Sequence, residues 1–291
     1  MHYEKTVIHR GLHPLVTPFL GDKINEPMFK VLLSRQIHAG VDAVAIAGTT
    51  GESPTLSDDE KLRLFRIAKD FVGDDMLVIA GTGSNNTKHA VSLSVEAEKI
   101  GADALLVVSP YYNKATPAGL IAHYTAIAKA VSIPIIVYNV PSRTGVDIPV
   151  SVYEELAKIP NIAGVKEAST DIGKILRIRA QCPESFCIWS GNDNLTVPIL
   201  SLGGMGIISV ASNLLPEQMN LMTFAALDGD FDTAAAVQCD LLPWTDFLGC
   251  EVNPIPIKAA MAHYGLDCGH CRLPLTPLSP ANHKLLEQLS S

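Results

Sequence analysis

Two apolar runs in this chain end on groups that can do chemistry. Ile162-Ala163-Gly164-Val165 stops at Lys166, and Pro134-Ile135-Ile136-Val137 stops at Tyr138. Each run reads as a buried strand with a reactive group at its tip. Burial disfavours an ammonium, so an amine held there sheds its proton more readily and becomes a nucleophile. A phenol on the next strand, about 4.8 Å away, can shuttle a proton beside it. Taken singly, both have plainer readings: a strand-end lysine reaching for water and a tyrosine with its hydroxyl at the surface. Further stretches add to them. Gly48-Thr49-Thr50-Gly51-Glu52-Ser53 brackets two hydroxyls with glycines, so amides and hydroxyls both can face a carboxylate. Arg143, in Tyr138-Asn139-Val140-Pro141-Ser142-Arg143-Thr144-Gly145, supplies a planar fork for a carboxylate. Gly191-Asn192-Asp193 makes a tight turn, and Gly203-Gly204-Met205-Gly206 leaves room for a backbone contact with a ligand. An amine, a phenol, hydroxyls and a guanidinium suit imine chemistry on a keto acid. The amine condenses with the ketone, the protonated imine draws electrons, and loss of a methyl proton yields an enamine. No histidine cluster has metal-ligand spacing, so no metal is expected, and no Gly-x-Ser-x-Gly elbow occurs.

Something must bring these groups to one place. Short, continuous apolar runs alternate with amphipathic stretches from Gly11 to Leu227. The strands are predicted at 11–17, 43–47, 77–80, 104–108, 134–138, 162–166, 186–190 and 206–210. The helices between and after them are predicted at 27–39, 57–71, 87–100, 117–131, 149–158, 171–180, 195–202 and 216–227. Ser57 with Glu60 forms a capping-box signature for the second helix. Strands apolar along their whole length are strands buried on both faces. Eight such strand–helix units predict the α/β class and a (β/α)8 TIM barrel rather than an open sheet. No dinucleotide fingerprint follows the first strand. Beyond Gly229 helices occur without strands, near 231–247, 256–264 and 281–289. The division is therefore a catalytic barrel over 1–228 and a small C-terminal helical appendage over 229–291. In such barrels the working groups sit at the C-terminal strand ends, where Thr49, Tyr138, Lys166 and Gly191 fall.

Composition excludes other classes. The chain has 291 residues, 47% of them hydrophobic and 18% charged, with a formal net charge of −8. That balance opposes nucleic acid and anionic membranes, and an anionic substrate needs a local cation such as Arg143. Neither a membrane span nor a signal-peptide core follows Met1-His2-Tyr3-Glu4-Lys5, so a cytoplasmic location is expected. Six scattered cysteines fit reduced thiols. Cys268-Gly269-His270-Cys271 has redox-motif spacing but follows a helix end instead of opening a helix, so it is read as a surface loop.

With these residues in hand, the chain resembles the dihydrodipicolinate synthase and N-acetylneuraminate lyase family of class I aldolases. The matching stretches include 48–53, Tyr111-Tyr112-Asn113, 138–145, 164–168, 190–193, 203–209, Asn253-Pro254-Ile255-Pro256-Ile257-Lys258 and Arg272-Leu273-Pro274. The resemblance implies that Lys166 forms a Schiff base with pyruvate and that Tyr138 passes the protons. It implies a relay completed by Thr49 and by Tyr112, the latter reaching a neighbouring subunit's site. Thr50, Gly191 and the backbone at Ile208 would hold substrate, and Arg143 would bind the carboxylate of L-aspartate-4-semialdehyde. No cofactor is implied beyond the covalent imine, and a homotetramer built from tight dimers is. Sugar-acid aldolases of the same fold are the alternative activity, and a non-catalytic binding barrel is the alternative of another class. Members inhibited by lysine bind it near positions matching Ser53, Leu56, Asn85 and Tyr111. They carry an acidic residue at the position of His89 and a histidine at that of Lys61. With His89 and Lys61 here, inhibition by lysine is expected to be weak or absent.

Overall fold

The computed structural model describes residues 10–290. Eight parallel strands close into a barrel. They are β1 (Arg10–Pro14), β2 (Ala43–Ile46), β3 (Leu77–Gly81), β4 (Ala104–Val108), β5 (Ile135–Asn139), β6 (Ile162–Glu167), β7 (Cys187–Ser190) and β8 (Gly206–Ile208). Each strand pairs with the next, and β1 closes the ring between β2 and β8. The barrel interior is packed by Leu12, Ala43, Ala45, Ile79, Leu106, Ile136, Trp189 and Ile208. A larger apolar layer lies between the strands and the surrounding helices. Both strand faces are thus dry, which is why the runs are continuous rather than alternating.

The intervening helices follow the predicted stretches. The helix Asp58–Val72 starts at Ser57, whose hydroxyl accepts from the Glu60 amide while the Glu60 carboxylate accepts from the Ser57 amide. Thr87–Ile100 ends at Gly101, whose φ of 97° is open to glycine at low cost. The C-terminal helices are Phe231–Leu248, Ile255–His263 and Pro280–Leu289. No helix among the described residues is long and apolar enough to cross a membrane.

Several readings change. The strand predicted at 206–210 stops at Ile208, because the chain turns into a single 3-10 turn, Ala211–Asn213, that stays buried. Pro141–Thr144, expected as loop, is one helical turn with proline at its start and Gly145 (φ 71°) at its end. A two-stranded hairpin, Phe19–Leu20 with Lys23–Ile24, turns at Gly21; it is too short to show a period. The Cys268–Cys271 segment is a loop with His270 exposed, but its thiols are turned inward. Cys268 belongs to the apolar core, and burial pushes both thiols up to about 12, so neither is poised as a thiolate. Residues Met1 to Lys5 lie outside the described residues.

One irregularity matters for the site. Ile135 pairs with Ile162, but Ile136 pairs with Gly164, so β6 carries one extra residue at Ala163. From there Val137 meets Val165 and Tyr138 meets Lys166. Strand side chains alternate, so a one-residue offset exchanges the two faces. Ile136 and Tyr138 belong to the barrel-interior cluster, whereas Val137 and Val165 belong to the outer one. The bulge therefore puts Lys166 on the interior face, level with Tyr138. Without it, Val165 would stand opposite Tyr138. Gly164 has φ 156°, and a β-carbon there would collide with the Cys187 backbone. Gly164→Ala is expected to cost roughly 2–4 kcal/mol. Denaturant unfolding checks the stability.

Candidate active site

Lys166 and Tyr138 occupy paired positions on neighbouring strands, and the Lys166 Nζ lies 4.5 Å from the centroid of the Tyr138 ring. Lys166 is 5% exposed. A lysine so placed needs its strand tip held rigidly, and the next residue does this. Glu167 points outward from the barrel and is fully buried. Its Oε1 accepts from Asn139 Nδ2 (2.7 Å) and the Ser169 amide (2.8 Å). Its Oε2 accepts from the Tyr153 hydroxyl (3.1 Å) and lies 3.4 Å from Lys174 Nζ. Lys174 also pairs with Asp147, which accepts from Asn139. Burial, and then the Glu167 charge, hold the Tyr153 phenol protonated, so it remains a donor to that carboxylate.

Thr49, Tyr138 and Arg143 line one cavity of about 500 Å³ at the C-terminal end of the barrel. Thr50 is buried, and its hydroxyl oxygen accepts from Asn253 Nδ2 at 3.0 Å. Arg143 Nη2 donates to the Asn253 carbonyl at 3.2 Å. Ile208 ends its strand inside the barrel, and the Gly191 amide donates to the Glu167 carbonyl at 2.8 Å. These groups are therefore gathered at the mouth. Tyr112 is not: it is 89% exposed and does not line the cavity. Its φ of 71° is uncommon for a side chain of that size.

Ser53, Leu56, Lys61, His89 and Tyr111 line the same cavity on the side toward the helix Asp58–Val72. Asn85 does not; its carbonyl accepts from Asn113 Nδ2 at 2.9 Å. Lys61 is buried despite its charge. His89 Nε2 lies 2.8 Å from Asp58 Oδ2, and its Nδ1 lies 3.0 Å from the Ser84 hydroxyl.

Two residues at the mouth have no assigned role in the sequence reading. Asn253 comes from the C-terminal region and touches both Thr50 and Arg143, while its own Oδ1 is buried without a hydrogen-bond partner. An acceptor left open between two binding groups is suited to a donor on a substrate. Asp193 follows β7. Burial raises its carboxyl above the usual range, against the Ala211 amide and the Lys166 charge, and its Oδ1 has no partner. Asn253 lies beyond the eighth strand–helix unit, so strand-end logic does not reach it. Asp193 sits inside the Gly191–Asp193 turn, where the chemistry of a turn masks a carboxylate.

The loop holding Thr49 and Thr50 is clamped from below. Glu52 adopts φ 57° and is buried, with Lys258 Nζ donating at 2.6 Å and the Arg272 amide at 2.8 Å. Arg272 also forks onto Glu60 at 2.9 and 2.6 Å. The Phe19 ring lies under both cations, 4.5 Å from Lys258 Nζ and 4.3 Å from Arg272 Cζ. A buried carboxylate keeps its charge only with such partners.

Known proteins resemble this chain along nearly its whole length. The Dihydrodipicolinate synthetase family matches residues 8–290. A 4-hydroxy-tetrahydrodipicolinate synthase from Thermoanaerobacter sp. (strain X514) is 46% identical over 278 residues, covering 95% of this chain and 94% of that protein. One from Methanosarcina acetivorans is 47% identical, covering 94% and 95%. The solved structure of the 4-hydroxy-tetrahydrodipicolinate synthase from Methylacidiphilum fumariolicum SolV superposes with a TM-score of 0.95 at 42% identity, covering 97% of this chain and 95% of that one. With its barrel, its paired lysine and tyrosine and this degree of likeness, the chain belongs to the dihydrodipicolinate synthetase family.

Proposed function

We propose that the chain condenses pyruvate with L-aspartate-4-semialdehyde through an imine on Lys166, as a 4-hydroxy-tetrahydrodipicolinate synthase of lysine and diaminopimelate biosynthesis. The observation that carries the reading is the Lys166 amine seated against the Tyr138 ring at a buried barrel mouth. The Lys166 nitrogen adds to C2 of pyruvate. The carbonyl oxygen leaves as water, with protons passed by Tyr138. The iminium then draws electrons from C3, which gives up a proton and becomes an enamine. That carbon attacks the aldehyde, whose oxygen takes a proton. The amine of the second substrate adds to C2, displaces Lys166 and closes the ring. The imine is the electron sink, so the scheme uses no separate cofactor.

The remaining roles follow position. Thr49 shares the cavity with Tyr138 and is the next proton carrier. Thr50, Gly191 and the Ile208 backbone hold pyruvate, and Arg143 takes the carboxylate of the semialdehyde. Tyr112, extended into solvent beside this mouth, fits a relay completed in a neighbouring subunit and hence a homotetramer built from dimers. The substrates are small metabolites, which suits a cytoplasmic enzyme.

Borohydride reduction in the presence of pyruvate should fix a carboxyethyl group on Lys166, located by peptide mass. Lys166→Ala should lose the adduct and at least about a thousandfold in turnover. Recovery of an adduct on another lysine would end this scheme. Asn253→Ala should raise the KM for the semialdehyde about tenfold, the scale of one lost polar contact, while pyruvate trapping persists. Steady-state kinetics with each substrate varied separates the two.

Lysine should inhibit weakly or not at all. Its ammonium would meet the buried Lys61, and Asp58, the carboxylate that lines this side, already pairs with His89 at 2.8 Å. A titration of turnover with L-lysine at neutral pH checks this; half-inhibition below one millimolar ("sub-millimolar" sensitivity, roughly the range of a −4 kcal/mol binder or better) would contradict it.

A further inference from the structure

Lys166 has a large aromatic neighbour on each side. Tyr138 faces it from β5, and on β7 its partner in the strand register is Trp189. Trp189 belongs to the same barrel-interior cluster as Tyr138 and is 1% exposed. Its indole Nε1 is buried and has no hydrogen-bond partner among the described residues. A buried tryptophan normally has its N–H on an acceptor, because an aliphatic side chain fills similar space without stranding a donor. The walls do not supply one here. Backbone carbonyls in a closed sheet are taken by the next strand, and the interior side chains that share the cluster, such as Leu12, Ile136 and Ile208, are apolar. Tyr138 shares the cluster too, but its hydroxyl does not accept from the indole.

The space toward the mouth is open. Residues two apart along a strand share a face, so Ala168 stands above Lys166 and Gly191 above Trp189. A β-carbon on Gly191 would lie 2.6 Å from that of Ala168, so these two half-buried positions face each other. The places directly above Lys166 and Trp189 therefore carry one methyl group and one hydrogen atom. A guest attached to Lys166 enters a space with a free N–H in its wall. That guest must bring an acceptor oxygen. A keto acid carries two kinds. Its C2 oxygen leaves as water when the imine forms, whereas its carboxylate remains through every later step.

We propose that the Trp189 indole N–H donates to a carboxylate oxygen of the keto acid held on Lys166, which makes Trp189 a further substrate-binding residue. The inference rests on the imine chemistry proposed for Lys166 and adds a donor to it. A carboxylate accepts at about four lone-pair sites, so Trp189 supplements Thr50 rather than replacing it.

The test measures borohydride trapping against pyruvate concentration in the parent, Trp189→Phe and Trp189→Leu. Trp189→Phe keeps an aromatic ring and removes the donor. The pyruvate concentration for half-maximal trapping should rise about tenfold in both variants, the loss of one charge-assisted contact. The trapping rate at saturation should stay within about twofold of the parent, the mark of lost binding rather than lost chemistry. Tryptophan emission of the parent should shift as the imine forms. The other tryptophan, Trp244, lies on the helix Phe231–Leu248, so Trp189→Phe should abolish the shift. A crystal of the parent reduced with pyruvate covers the case in which neither variant folds, and Nε1 within hydrogen-bond distance of a carboxylate oxygen supports the proposal. A parent that traps no pyruvate would overturn the imine reading and this proposal with it. With trapping intact in the parent, three results would overturn this proposal alone: half-saturation unchanged in both variants, a loss confined to Trp189→Leu, which marks packing, or an indole that meets only water in the reduced crystal.

Discussion

The whole site depends on the register between two neighbouring strands. Lys166 is useful because it faces the barrel interior opposite Tyr138, and it does so only through the extra residue at Ala163. Strand side chains alternate between the two faces except where a bulge interrupts them, so register decides which residues face inward. The extra residue is accommodated at Gly164, which meets the Cys187 backbone where no β-carbon fits. A glycine that looks like punctuation in the sequence thus sets the orientation of Lys166. The lysine, the tyrosine and the glycine form one geometric unit.

Holding that unit demands charges in dry places. Glu167 is the residue after Lys166, and alternation sends it to the opposite, equally buried face. An unpaired carboxylate there would cost several kcal/mol. Asn139, Tyr153, Ser169 and Lys174 meet it instead, and they come from β5, two surrounding helices and the loop after β6. The penalty for leaving any partner out is what makes the tip of β6 rigid. Glu52 repeats the logic under the threonine loop, with Lys258 and Arg272 supplied by the C-terminal region.

Much of this was legible in the amino-acid sequence. Strands buried on both faces announce themselves as continuous apolar runs, and Ala104–Val108 and Thr87–Ile100 fall where periodicity puts them. The capping box at Ser57 and Glu60 is local chemistry and formed as read. Placement of Lys166, Tyr138 and Thr49 at the strand ends follows from the barrel rule. What pattern could not reach is contact between distant segments. Asn253 touches Thr50 across about two hundred residues of chain, a separation no local rule spans. The Cys268–Cys271 segment follows a helix end and so reads as a surface loop, yet its first thiol is packed in the core. The bulge at Ala163 was equally invisible, since a bulged strand and a regular one share the same apolar run.

The site also divides by stiffness. Lys166 and Tyr138 sit on β6 and β5, where the strand tips are fixed by cross-strand pairing and buried partners. Arg143 sits on a single helical turn, Asn253 lies beyond the barrel and Asp193 lies in the turn after β7. Loop residues move and mutate at lower cost than strand residues, because fewer buried contacts oppose the change. Those positions can therefore change while the Lys166–Tyr138 pair stays intact. In the proposed condensation, the guanidinium and its Asn253 partner, rather than Lys166, are the groups whose replacement would change the aldehyde taken.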